Sequence, residues 1–211
     1  MKKLFTIIVC KVLKFVGGLL GKGSSLPGQI ALKLCPDILG RIELPKYIVA
    51  VTGSNGKTST VEMIAHILCE SGKKVAWNKE GSNQIEGVTT LILGSCTLSG
   101  KVKSDILLIE SDERFAKYTF KYITPTHYVI TNLYRDQLTR NGHPEWVYNA
   151  VKDSIIPKLS LFLTPTIRLF RALATAGIML YGSVQAIFRP IQRSLSVFIM
   201  TVHIALTANL L

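Results

Sequence analysis

Apolar positions along the chain follow two alternating rhythms. Short unbroken runs at Tyr47 to Thr52, Lys74 to Asn78, Asp105 to Ile109 and His127 to Thr131 read as strands of a parallel sheet covered on both faces. Between them the spacing changes to that of a helix. Val61, Ile64, Ala65 and Leu68 share one face, and a second helical stretch runs from about Ile85 to Leu93. Four strands separated by helical stretches predict an α/β fold with a mainly parallel sheet, whose polar strand ends gather on one functional edge. Ahead of them, Leu4, Ile7, Ile8, Val12 and Phe15 form a stripe from which Lys3, Lys11 and Lys14 project elsewhere. That beginning mimics a signal peptide, but Lys11 ends the apolar run after seven residues and no clean cleavage site follows. A basic amphipathic helix fits better, either docked on the body or lying on the inner membrane surface. Gly17 to Gly28 reads as a hinge or loop.

The polar loops carry the candidate chemistry. After the first strand stands Gly53-Ser54-Asn55-Gly56-Lys57-Thr58, a shortened phosphate loop, since Val51 replaces the first glycine of the full signature. The glycines permit close backbone approach, and the amides opening the next helix point at an anion. Lys57 would neutralise β- and γ-phosphates, and the hydroxyl of Thr58 or Ser59 would hold Mg²⁺. The bland alternative is an ordinary strand-to-helix turn. The third strand ends in Glu110-Ser111-Asp112-Glu113, where Glu110 is best placed as a metal ligand; here the alternative is a solvated strand end. The loop Asn78 to Gln84, containing Asn83, and the stretch Asn132 to Leu138 lie at the same edge.

Composition refines this picture. The chain has 211 residues and a formal charge of +12, yet no base-stacking motif or compact basic helix points to nucleic acid. Cys10, Cys35, Cys69 and Cys96 lack metal-ligand spacing and read as free thiols of a reducing compartment. None of the 13 acidic residues lies beyond Asp153. The composition therefore breaks near that point.

Taken together, TGSNGKTST, a loop with Gly81-Ser82-Asn83, a strand ending in Glu110 and the run Asn132-Leu133-Tyr134-Arg135-Asp136-Gln137-Leu138 resemble the ATP-binding central domain of the Mur ligase superfamily. Within it the chain is most similar to the ligase subunits of lipid II isoglutaminyl synthase. Asp136-Gln137 stands where the amino-acid-adding Mur ligases have Asp-His, and Ser25 to Gly28 (SLPG) follows a short arm in place of a UDP-binding domain. Thr139 departs from the acidic residue usual there. The resemblance covers about residues 20 to 157.

It implies an ATP- and Mg²⁺-dependent ligase that amidates the D-glutamate α-carboxylate of the lipid II stem peptide through an acyl phosphate. A separate glutaminase subunit supplies ammonia. Lys57 would clamp the γ-phosphate, Thr58 and Glu110 would hold Mg²⁺, and Gly53, Ser54, Asn55, Gly56 and Ser59 would complete the ATP cradle. Asn83, Asn132 and Asp136 would position phosphate and metal. The expected setting is cytoplasmic, with peripheral contact to the inner membrane surface.

The chain thus divides into an N-terminal amphipathic segment and linker (1–45), an incomplete ATP-binding central domain (46–157) and an aberrant apolar tail (158–211). The family's Asn-Ala-Asp-Asp-Pro segment and four-cysteine zinc site have no counterpart in the tail. Reading the codons of Thr164-Pro165-Thr166-Ile167-Arg168 one base earlier can spell Asn-Ala-Asp-Asp-Pro, so the tail is expected to be a frameshift product and the chain inactive alone. A rival expectation takes Leu173 to Phe188 and Ser194 to Leu211 as a membrane hairpin, flanking Arg189 and Arg193.

Overall fold

The computed structural model of the protein describes residues 1–19, 25–78, 82–132, 144–155 and 160–163. The tail beyond Leu163, with both halves of the expected hairpin, lies outside the described residues, as do Gly81 and Leu133 to Thr139.

Two helices, α1 (Lys2–Leu19) and α2 (Leu26–Leu34), and a 3₁₀ turn at Ile38–Arg41 lead into the first strand, β1 (Tyr47–Thr52). There follow α3 (Lys57–Glu70), β2 (Val75–Trp77), α4 (Ile85–Ser95), β3 (Ile106–Glu110), the short α5 (Ala116–Thr119) and β4 (His127–Ile130). The last elements are α6 (Pro144–Ser154) and β5 (Ser160–Leu163). Strand order is β2-β3-β1-β4-β5, with every adjacent pair parallel. The sheet continues through Leu163.

β1 is central because both of its faces are apolar. Ile48 and Ala50 face the larger core, which takes in Leu107, Ile109, Tyr128 and Ile130 of the sheet with Ile7, Cys10, Ala31, Val88 and Ile92 of α1, α2 and α4. Val49 and Val51 face the other way, onto Val61, Ile64, Ala65 and Leu68 of α3. This is the strand alternation of a doubly covered sheet. α2 crosses α4 closely enough for the Gly28 amide to donate to Thr90 Oγ1 at 2.8 Å.

One expectation for the N-terminal segment needs correction. Gly17 and Gly18 continue α1, and Leu26 to Gly28 open α2, so the expected hinge from Gly17 to Gly28 is helical at both ends. Pro27 in the first turn, where no intrahelical N–H is required, favours that second start. Lys3, Lys11 and Lys14 project away from the stripe, as expected, and toward the body. Thr6, Ile7 and Cys10 are the buried residues of the helix, and Lys11 Nζ donates to the Gly94 carbonyl of α4 at 2.9 Å. Burial pushes the Cys10 thiol up to about 11. Of the four cysteines, Cys69 is exposed and the other three are buried.

Candidate nucleotide site

The loop after β1 is shaped by contacts from the strand beside it. Gly53 has φ +133°, and a Cβ there would stand 2.2 Å from Thr131 Oγ1 and 2.7 Å from the Asn132 carbonyl. Only glycine fits so close an approach. Gly56 sits at the start of α3 with φ +77°, the left-handed region. Between them, Asn132 holds the loop three times. Its carbonyl accepts from the Ser54 amide at 3.0 Å, its Oδ1 accepts from the Asn55 amide at 2.9 Å, and its Nδ2 donates to the Asn55 carbonyl at 2.9 Å. Thr131 Oγ1 adds a bond to the Asn55 carbonyl at 2.8 Å. Asn132, expected to position phosphate, thus has the loop itself as its partner.

Lys57 lies across the cradle. Its ammonium donates to the Gly53 carbonyl and, at 3.4 Å, to the Ser54 carbonyl, and pairs with Glu113 Oε2 at 3.4 Å. The Glu113 side chain is only 4% exposed, so this pairing is shielded from solvent.

Beside the cradle a second cluster forms around Glu110, which is 3% exposed. Thr58 Oγ1 donates to Glu110 Oε2 at 2.9 Å, and Asn83 Nδ2 donates to Oε1 at 3.4 Å. The register places Glu110 opposite Val51, one residue before the end of β1, and the Glu110 amide donates to Asn78 Oδ1 at 3.3 Å. A buried carboxylate oxygen next to a hydroxyl at a helix start is a hard-oxygen donor set that fits Mg²⁺. Asp112 is engaged elsewhere, in bonds of 2.9 to 3.1 Å with Arg114. Burial alone would raise its carboxyl, but the Arg114 bonds prevail and hold it below the usual carboxylate range.

Of the sequence-derived candidates, the structure brings together Gly53, Ser54, Asn55, Gly56, Lys57, Thr58, Asn83, Glu110 and Asn132. Ser59 is exposed on the first turn of α3. Asp136 lies outside the described residues. Three further residues contribute: Thr131, to which the sequence pattern assigns no role, and Glu113 and Asn78, which it places only in the strand-end acids and the polar loop. A groove of about 650 Å³ opens next to Asn78, lined by Lys14, Lys74, Trp77, Ser82 and Lys103 among others.

The Mur ligase middle domain matches residues 51–161, more than half of the chain. The chain belongs to the Mur ligase family. This Mur ligase chain is 36% identical over 176 residues to "Lipid II isoglutaminyl synthase (glutamine-hydrolyzing) subunit MurT" of Streptococcus pneumoniae, a match covering 83% of the chain and 36% of that protein. It is 34% identical over 160 residues to the subunit of the same name from Staphylococcus aureus, covering 75% of the chain and again 36% of the relative. The chain therefore spans little more than a third of the length of the curated relatives it matches. Its fold is that of MurF from Acinetobacter baumannii, with TM-score 0.57, 21% identity, and coverage of 74% of this chain and 35% of that one. MurF from Thermotoga maritima, solved in complex with ADP, likewise gives TM-score 0.57 at 21% identity over 71% of this Mur ligase chain and 35% of its own.

Proposed function

We propose that the chain is the ATP-binding part of an amide ligase that converts the D-glutamate α-carboxylate of the lipid II stem peptide to the amide of D-isoglutamine. A carboxylate oxygen attacks the γ-phosphorus of ATP and ADP leaves. Ammonia then attacks the carbonyl carbon of the acyl phosphate, which expels phosphate and loses a proton to give the amide. A separate glutaminase subunit would release that ammonia from glutamine. The reaction would take place on the cytoplasmic side of the membrane that carries the lipid-linked substrate.

On this reading the loop amides at Asn55 to Thr58 receive the β-phosphate. Lys57 exchanges its carbonyl and Glu113 partners for the γ-phosphate and offsets the charge on the transferred group. Thr58 and Glu110 would hold Mg²⁺, which when bound neutralises phosphate oxygens and fixes their orientation. Asn83 keeps the Glu110 carboxylate aimed at that position, and Asn132 keeps the cradle in shape. The lysine-lined groove beside Asn78 suits the acidic groups of a lipid-linked muropeptide.

The observation that carries the proposal is the Thr58–Glu110–Asn83 cluster beside the cradle, in a chain whose relatives at 34–36% identity bear the MurT name. A second reading, a nucleotide-binding protein without ligase activity, is favoured by the described residues supplying the ATP side of the reaction alone. Titration with a fluorescent ATP analogue and Mg²⁺, followed by incubation with a glutaminase subunit, lipid II, ATP and glutamine, separates them. Binding without amidated product supports the second reading; product above background supports the first. Failure to bind ATP removes both.

A further inference from the structure

α1 presents two apolar faces, and the body uses only one. Thr6, Ile7 and Cys10 are buried against α2 and α4, whereas Leu4, Phe5, Ile8, Val12, Phe15, Val16 and Leu19 are 42–73% exposed. At 100° per residue these seven side chains share an arc of roughly 120°, and the stripe runs along a helix about 27 Å long. No charged residue falls within that arc. Lys2 and Lys11 stand at its two borders, and Lys3 and Lys14 lie behind it, toward Gly100 and Gly94 of the body. A contiguous apolar face of this size on a folded protein marks an interaction surface.

Charge decides what it meets. α1 carries four lysines and no acidic residue, in a chain of formal charge +12. Pairing the stripe with a second copy of itself would oppose two all-lysine helices with no acid on either to compensate. An anionic lipid surface satisfies both halves of the pattern: acyl chains receive the stripe, and headgroup phosphates receive the exposed Lys2 and attract a chain of formal charge +12. No helix among the described residues is long and apolar enough to cross a membrane, so α1 would lie in the interface plane.

We infer that the outward face of α1 is a lipid-docking surface, which seats the protein in-plane on an anionic membrane through Leu4, Ile8, Val12 and Phe15 with Lys2 at the rim. This deepens the membrane-surface part of the proposed function. It is tested without reference to ATP, so either can fail alone.

The test uses the full chain and sedimentation with vesicles of equal parts phosphatidylcholine and phosphatidylglycerol, against vesicles of phosphatidylcholine alone. Wild type is expected to pellet with the anionic vesicles and less with the neutral ones. Ile8→Gln, Val12→Gln and Phe15→Gln combined, all at exposed positions, are expected to lower partitioning at least about tenfold while helical content and nucleotide binding stay unchanged. A second variant, Phe15→Trp, keeps an aromatic ring as a reporter. Its added emission should shift to the blue and be quenched by phospholipids brominated in the upper acyl chain. The inference is overturned by full vesicle binding in the triple variant, by an unquenched Trp at position 15, or by a wild type that binds neither vesicle. Dimerisation that the triple variant abolishes, with no vesicle binding, assigns the face to a second copy instead.

Discussion

Thr58 Oγ1 donates to Glu110 Oε2 at 2.9 Å, joining the first turn of α3 to the end of β3. These residues are 52 positions apart, and the parallel pairing of β1 with β3 brings them together. Because the hydroxyl and the carboxylate converge where the proposed metal would sit, neither should be dispensable for it. Glu110→Gln and Thr58→Ala are each expected to weaken Mg²⁺-dependent nucleotide binding about 10–100-fold, with Thr58→Ser retaining most of it. Titrations at fixed nucleotide and varied Mg²⁺ check this. An unchanged Mg²⁺ requirement in Glu110→Gln would remove Glu110 from the site.

Lys57 is held by two loop carbonyls and Glu113 at the mouth of the cradle. On the proposed reading its point charge answers the terminal phosphates, so Lys57→Ala should cost about tenfold or more in ATP affinity. Adenosine, which lacks phosphate, should bind wild type and variant alike. Equal ATP affinity in both proteins would show that the loop is not a phosphate cradle.

What was legible in the sequence followed from local pattern. Tyr47–Thr52 could be read as a strand residue for residue because both its faces are buried and its apolar run is rich in β-branched Ile48, Val49 and Val51. Glu110 could be read because it closes an apolar run. Thr131 could not, since it reaches the loop across the sheet and nothing local marks it; Glu113 is legible only as an acid of the strand-end cluster, and its pairing with Lys57 comes from the fold. The sequence of α1 left two settings for its stripe, because the helix is apolar on two sides. The body takes the Thr6–Ile7–Cys10 strip, with the Lys11 ammonium bonded to α4 alongside it.

Gly53 combines a positive φ with a neighbouring hydroxyl 2.2 Å from where its Cβ would stand. Gly53→Ala must therefore move Thr131 or the loop, and with it the bonds to Asn55. The expected loss is about 1–3 kcal/mol of stability together with weakened nucleotide binding. Gly56→Ala also meets a positive φ, but nothing stands within 4 Å of its added carbon, so its cost should be smaller. Urea unfolding of both variants checks the order. Equal midpoints would mean that the contact with Thr131 is not what limits position 53.

His127 opens β4, is 5% exposed, and its Nδ1 lies 2.8 Å from Thr126 Oγ1. Burial disfavours the imidazolium and holds its pKa below the ordinary value. The unfolded chain, in which a histidine titrates near about 6.5, therefore binds this proton more tightly than the folded one. The contribution of His127 to stability is complete above that value and declines as pH falls from it toward the folded pKa. Asp112 adds no slope in that interval, because its depressed carboxyl contributes fully above the unfolded aspartate value of about 3.9 and loses that contribution only below it. Between about pH 7 and pH 5 the wild type should thus lose stability on acidification, and His127→Gln, which keeps a polar partner for Thr126, should flatten that loss. Unfolding free energies measured across this interval give the answer, and identical slopes in the two proteins would place the titrating group elsewhere.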